Sequence, residues 1–431
     1  MRFKELIVKK ILTILACLPM ATFAQDINGA DTAWIMTSTA LVLFMTLPGL
    51  ALFYGGLVRT KNILSVLMQC FAIAGIMSIL WFVVGYSIAF SGDNPYFGDF
   101  SNVLLAQVSI NTVNGSIPES LFAMFQMTFA IITPALIIGS YAERMKFSAV
   151  LLFSSIWLLV VYAPITHWVW GGGWLGNVLD YAGGTVVHIT AGIAALVAAI
   201  VLGPRKDFLK KPMPPHNMTM TITGAAMLWV GWFGFNGGSA LAAGGDAAMA
   251  ILVTHISAAT GAITWMFYEW IKFGKPTALG TVTGMVAGLG TITPASGFVG
   301  PAGALVIGFI AGIVCFNAVI IIKQKFKIDD SLDVFPVHGV GGIIGTLMVG
   351  FFASKELGIF SGQGGWDREA IVITEQLQIQ FTGVVATVVY TAIATYLILK
   401  VVDVITGLRV SEEEEQQGLD IVSHEEKGYD L

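Results

Sequence analysis

Val187-His188-x-x-x-Gly192-Ile193 returns 150 residues later as Val337-His338-x-x-x-Gly342-Ile343. Each copy lies in a long apolar run, so the chain places one histidine twice in equivalent greasy surroundings. Two further echoes keep the same order. Gly49-x-x-x-Phe53-Tyr54-Gly55-Gly56 matches Gly231-x-x-x-Phe235-Asn236-Gly237-Gly238, and Ile132-Thr133-Pro134-Ala135 matches Ile292-Thr293-Pro294-Ala295. One such match in a chain with 49 glycines could be chance, but three in register describe a duplication.

Working outward, the runs around these motifs are too apolar for water. The 431 residues are 56% hydrophobic and only 11% charged, against roughly 25% charged in a soluble domain. Residues 32–58, 62–90, 217–245 and 276–322 contain no Asp, Glu, Lys or Arg. A helical span needs about 20 apolar residues, so each run holds at least one. Soluble enzymes, nucleic-acid binders and disulfide scaffolds are excluded: Cys17, Cys70 and Cys315 all sit unpaired in apolar segments.

Eleven apolar segments follow Asp31, near 32–58, 62–90, 119–142, 147–170, 181–203, 217–239, 247–271, 276–294, 301–322, 333–353 and 376–402. Loop charge sets their direction. Alternate loops and the tail carry 16 basic residues and the opposite loops carry two, Lys355 and Arg368. The positive-inside rule puts the mature N-terminus outside and the C-terminus in the cytoplasm. The echoes pair spans 1, 3 and 5 with spans 6, 8 and 10. An odd number of spans per half inverts the second half. The expected fold is therefore an all-α polytopic membrane protein, an inverted five-plus-five repeat with a further C-terminal helix. Its functional site is expected near the bilayer midplane between the repeats.

The ends read differently. Arg2, Lys4, Lys9 and Lys10 precede an apolar stretch from Ile11 to Phe23, then Ala24 and polar Gln25-Asp26. That is the order of a secretory signal cleaved after Ala24. An uncleaved helix would be short, and Cys17 is a poor lipidation site. The chain divides into a signal (1–24), a membrane domain (25–408) and a tail (409–431). From Arg409 onward two basic and eight acidic residues give the tail a charge of −6. The overall −5 thus reports a solvated tail.

His188 and His338 are the sharpest candidates for chemistry. An intramembrane histidine is expensive and points to function. Its alternative, a structural hydrogen bond to a neighbouring helix, loses ground when two histidines are symmetry mates. No Cys, Asp or Glu lies at matching depth, so the pair lacks the remaining ligands of a metal site, and no cofactor is implied. Two neutral imidazoles can hydrogen-bond each other and a small polar solute, and can relay a proton. The path they line suits a small neutral or neutralisable molecule.

Further runs carry a resemblance. They are Phe53-Tyr54-Gly55-Gly56-Leu57-Val58-Arg59, Ala142-Glu143-Arg144, Trp170-Gly171-Gly172-Gly173, Asp180-Tyr181-Ala182-Gly183-Gly184-Thr185-Val186-Val187-His188, Gly231-Trp232-Phe233-Gly234-Phe235-Asn236 and Asp333-Val334-Phe335-Pro336-Val337-His338-Gly339. Together they resemble the ammonium transporter (Amt/Mep/Rh) family, most closely its bacterial AmtB branch, over nearly the whole mature chain. Pro336 replaces a common Gly and Tyr181 a common Phe.

The resemblance implies a homotrimer in the bacterial inner membrane, each subunit carrying its own path for ammonium or ammonia through the lipid bilayer. It makes Phe129, Trp170 and Ser239 an external ammonium recruitment site and Phe129 with Phe235 a stacked gate beneath it. Asp180 and Trp232 support the deprotonation region. It also implies a trimeric PII-type (GlnK-like) regulator at the inner face and tail, and no nucleic acid. Read without it, Trp170 is an interfacial aromatic, Phe129 a core residue and Asp180 a helix cap. Three rivals stay in view. A cation-coupled transporter would need mid-span acidic groups, an ammonium sensor would usually carry an extra signalling domain, and an enzyme built on His167, His188 and His338 lacks a nucleophile.

Overall fold

A computed structural model describes residues 27–361 and 371–429; the expected signal segment lies outside the described residues. Among the described residues eleven helices are long and apolar enough to cross a bilayer. They are α1 (Gly29–Leu57), α2 (Thr60–Phe90), α3 (Glu119–Tyr141), α4 (Phe147–Val169), α5 (Gly184–Leu202), α6 (Met218–Gly238), α7 (Gly245–Phe273), α8 (Ala278–Ala295), α9 (Pro301–Lys325), α10 (Phe335–Phe352) and α11 (Ile373–Thr406). Two short helices, α12 (Glu412–Gln417) and α13 (Leu419–His424), follow in the tail.

Each helix ends within a few residues of its apolar run, because the charged or Gly/Pro-rich segments between runs need water or turns. The largest difference is α11, which continues to Thr406 with a charged last stretch. Pro48 interrupts α1, where the chain relaxes into a wide π turn over Met45–Leu50, a usual response to a missing backbone donor.

With an odd number of crossings the two ends of the helical region lie on opposite faces. The tail face gathers the basic loops. Glu143 is completely buried there, between Arg59 (2.8 Å) and Arg205 (3.0 Å), and Arg205 also grips Asp329 at 2.9 Å. Burial alone would raise the Glu143 carboxyl, but Arg205 and Arg59 outweigh it and hold it below the usual range. Arg144 threads between loops, its guanidinium donating to the carbonyls of Gly203 and Asp329 and to Ser331 Oγ.

The tail is not wholly solvated, which corrects the reading of its charge. Glu415 and Asp420 are buried. Glu415 accepts from the Lys206 backbone and from Arg409, both at 2.8 Å, and Asp420 accepts from Ser65 N at the start of α2. On the opposite face Asp31 holds the entry of α1 against Ser116 and the backbone of Ala243.

At the centre α5 and α10 cross where Gly192 meets Gly339; a Cβ on Gly192 would collide with the Gly339 Cα and N. Small residues permit this approach where no hydrophobic drive exists between helices. The two helices also begin alike. Each opens with a π turn, Gly184–Ile189 and Phe335–Gly339, and each π turn holds the histidine.

Candidate functional site

The two π turns put His188 and His338 side by side at the crossing. Their Nδ1 atoms are 3.2 Å apart, with rings nearly parallel at 15°. In the neutral pair one Nδ1 donates and the other accepts, so the tautomers are coupled. His188 is 1% exposed and its Nε2 has no hydrogen-bond partner among the described residues. That nitrogen is the polar atom left for a solute. His338, on the other side of the bond, lines the cavity open to the tail face.

Both histidines are held from the N-terminal side by an aspartate eight residues earlier. Asp180 accepts from the backbone N–H groups of Gly183, Gly184, Thr185 and Val186 at 2.6–3.1 Å. These are the donors a helix start leaves unpaired. Gly183 turns the chain into α5 with φ at +109°. Asp330 accepts from Phe335 N at 2.7 Å, and Asp333, three residues on, has φ at +62°. Asp330, not Asp333, is thus the symmetry mate of Asp180. The eight-residue spacing was countable in the sequence. Asp333 instead pairs with Lys323 at 2.8 Å.

Above the pair, towards the face opposite the tail, Trp232 lies parallel to His188 at 5.5 Å and donates from Nε1 to Thr293 Oγ1 at 2.9 Å. Phe235 and Phe129 then stack at 4.2 Å across the path. Trp170 meets Phe129 edge-on at 6.0 Å and is fixed by its Nε1 donating to the Asp180 carbonyl. Ser239 donates to the Phe235 carbonyl at 2.8 Å, which leaves its oxygen lone pairs free. Seven of the eight sequence candidates therefore follow one another along one line, while Asp180 lies behind it at the start of α5. Phe125, packed edge-on behind Phe129 at 5.1 Å, was missed because its spacing looks like any core position. His167 stands apart, between the carbonyls of Ala89 and Asn94.

The line joins two cavities. One of 530 Å³ opens above Phe129, Trp170 and Ser239; another of 360 Å³ opens below His338. Between them Phe235, Trp232, His188 and His338 enclose only about 10 Å³ of room for a water-sized molecule. That is the lower limit for one water. No group of three or more His, Cys, Asp or Glu able to hold a metal occurs among the described residues.

The fold and site together define a helical membrane protein with two cavities separated by a narrow apolar constriction, which holds a hydrogen-bonded histidine pair beneath a stacked pair of phenylalanines. A family model described as the Ammonium Transporter Family matches residues 33–429, and the chain belongs to that family. It is 48% identical over 410 residues to a putative ammonium transporter of Methanothermobacter thermautotrophicus, covering 94% of this chain and 99% of that protein. The ammonium transporter of Aquifex aeolicus is 47% identical, covering 98% of each chain. Among solved structures, Candida albicans Mep2 superposes with a TM-score of 0.81 at 35% identity, covering 90% of this chain and 88% of that one. A Sensor Amt Protein reaches 0.83 at 30% identity, covering 92% of this chain and 98% of that one.

Proposed function

We propose that this chain takes up nitrogen by recruiting ammonium on the outer face and conducting it inward as ammonia. The observation that carries the reading is the waist: two hydrogen-bonded imidazoles in a passage with room for about one small molecule. A bare cation there would lose its hydration and gain no carboxylate in exchange, a penalty of many kcal/mol. Ammonia lacks that penalty. Trp170 and Phe129 offer π faces to ammonium, an attraction of about 2 kcal/mol or more where water is excluded, and Ser239 offers lone pairs. Asp180 adds negative charge beneath, although its four backbone bonds make it chiefly the anchor of α5. Phe129 and Phe235 gate the step at which the cation passes its proton to water of the outer cavity and continues as ammonia, with Trp232 lining it.

In this reading residues 1–24 are a cleaved signal, 25–408 the transport domain and 409–431 a regulatory tail. The tail face is cytoplasmic in a bacterial inner membrane, three chains assemble as a homotrimer, and a PII-type regulator docks on the inner face. Methylammonium uptake into proteoliposomes tests the core of it. His188→Ala is expected to abolish uptake or its selectivity; wild-type rate and selectivity in that variant would sink the role. The likeness to a sensor favours a second reading, ammonium binding without conduction. It predicts bound ammonium and no uptake by the unaltered chain. Capture of a PII protein by the full chain but not by one cut at Arg409 tests the partner.

A further inference from the structure

One face of α3 lines the outer cavity from mouth to gate: Glu119, Phe122, Gln126 and Phe129 all border it. Their spacing of three, four and three residues is a single stripe of helix, about 15 Å long. Phe129 ends it at the gate. Gln126 stands one turn above, 8% exposed, and its Oε1 is buried with no hydrogen-bond partner among the described residues. As placed, that oxygen is sealed from the cavity. A half-turn of the terminal amide exchanges its oxygen and nitrogen at no steric cost, since the two ends have nearly the same shape. The carbonyl can therefore face the cavity.

The rest of the wall selects the charge of that ligand. Glu119 accepts from the Tyr86 hydroxyl at 2.8 Å and borders the same cavity. No Lys or Arg lines it, so the carboxylate's field reaches into the space uncancelled. Ser239 keeps free lone pairs on the opposite wall. The lining thus offers acceptors, π faces and one negative charge, and its cationic side is empty. The complement is a small cation rich in N–H donors.

We infer that Gln126 is an ammonium ligand of the recruitment site, accepting an N–H through its side-chain carbonyl, and that Glu119 draws the cation to it. This rests on the conduction reading above. Ammonium carries four donors and methylammonium three, so an additional acceptor on the wall favours the unsubstituted ion.

The experiment compares the unaltered chain with Gln126→Met, Gln126→Glu and Glu119→Gln in proteoliposomes, measuring initial uptake against ammonium and methylammonium concentration. The near-isosteric Gln126→Met should raise the half-saturating ammonium concentration roughly 10-fold or more, with a smaller rise for methylammonium and a maximal rate within about threefold. Gln126→Glu should lower it. Glu119→Gln should raise it by less, and that rise should shrink in high salt as screening removes the long-range field. Unchanged half-saturation in Gln126→Met overturns the assignment. So does a fall in maximal rate alone in both Gln126 variants, which would make the residue a packing element of the gate. If the unaltered chain carries no flux, conduction fails on its own. Calorimetric titration of the purified variants with ammonium chloride then still decides the site, equal affinities overturning it.

Discussion

Gly192→Ala is the most discriminating change because it touches neither the conduit nor any charged group. The residue lies on α5 one turn past His188, against the backbone of Gly339 on α10. The added methyl would stand closer to the Gly339 Cα and N than Cβ atoms approach backbone. Restoring ordinary contact, about 3.5 Å between carbons, requires the helices to part by about 1 Å. The His188–His338 bond would lengthen from 3.2 Å to about 4 Å, beyond hydrogen-bonding range. Overpacking costs about 1–3 kcal/mol, while Ala in place of a mid-helix Gly returns about 1 kcal/mol. The net loss of stability is therefore small, and thermal unfolding should change little. Function is more sensitive, since a misplacement of about 1 Å can cost about 100-fold. Methylammonium uptake by proteoliposomes should fall by that order. Gly290→Ala is the control: its Cβ would sit 3.9 Å from both imidazoles, an ordinary contact, with no backbone in the way. It should leave the helix crossing intact and the protein at least as stable. Uptake at the wild-type rate in Gly192→Ala, with the protein folded, would refute the claim that this crossing sets the histidine geometry.

Two further changes probe the tail face. Burial pushes the Asp330 carboxyl up to about 6, with Asp333 adding to the rise. Above that pH the fold holds a charge that the unfolded chain would give to water. The penalty, up to about 3 kcal/mol for a shift of roughly two pH units, is relieved as pH falls through 6 and vanishes below the ordinary carboxylate range. Asp330→Asn, which can still accept from Phe335 N, should unfold at a higher temperature than the unaltered chain at pH 8, with the gap shrinking below pH 6 and closing below about pH 4; a pH-independent gap would contradict this. Glu415→Ala strips the tail of its buried anchor to Arg409 and Lys206. Losing a buried partner costs about 3–5 kcal/mol. Arg409 is 30% exposed, so water replaces part of it and about 2 kcal/mol remains. Amide exchange across α12 and α13 should quicken roughly 30-fold, and unchanged exchange would mean that the contacts of Leu419 and Asp420 with Asn62 and Ser65 hold the tail without Glu415.

Which features were legible follows from the range over which each is encoded. Span positions come from local hydropathy, which is a property of consecutive residues. The histidine pair was legible because the repeat copies it, making a long-range contact visible as a local echo. Asp330 carries the same information, eight residues before His338 as Asp180 is before His188. The run from Asp333 to Gly339 masks it, because the apolar span opens at Asp333. The structure shows why Asp330 is the true counterpart: it accepts the first helical N–H while Asp333 takes the left-handed turn held elsewhere by Gly183. Glu415 and Gln126 had no such copy. Four consecutive glutamates look solvated, and only a fold that brings Lys206 and Arg409 to one of them makes it a buried anchor. Gln126 is one of several polar residues on α3, beside Glu119, Ser120, Thr128, Thr133 and Ser140. Its meaning depends on whether a neighbour satisfies its amide, and that partner has no signature in the sequence. Burial without a partner, seen at both Gln126 Oε1 and His188 Nε2 among the described residues, is the information the three-dimensional structure adds.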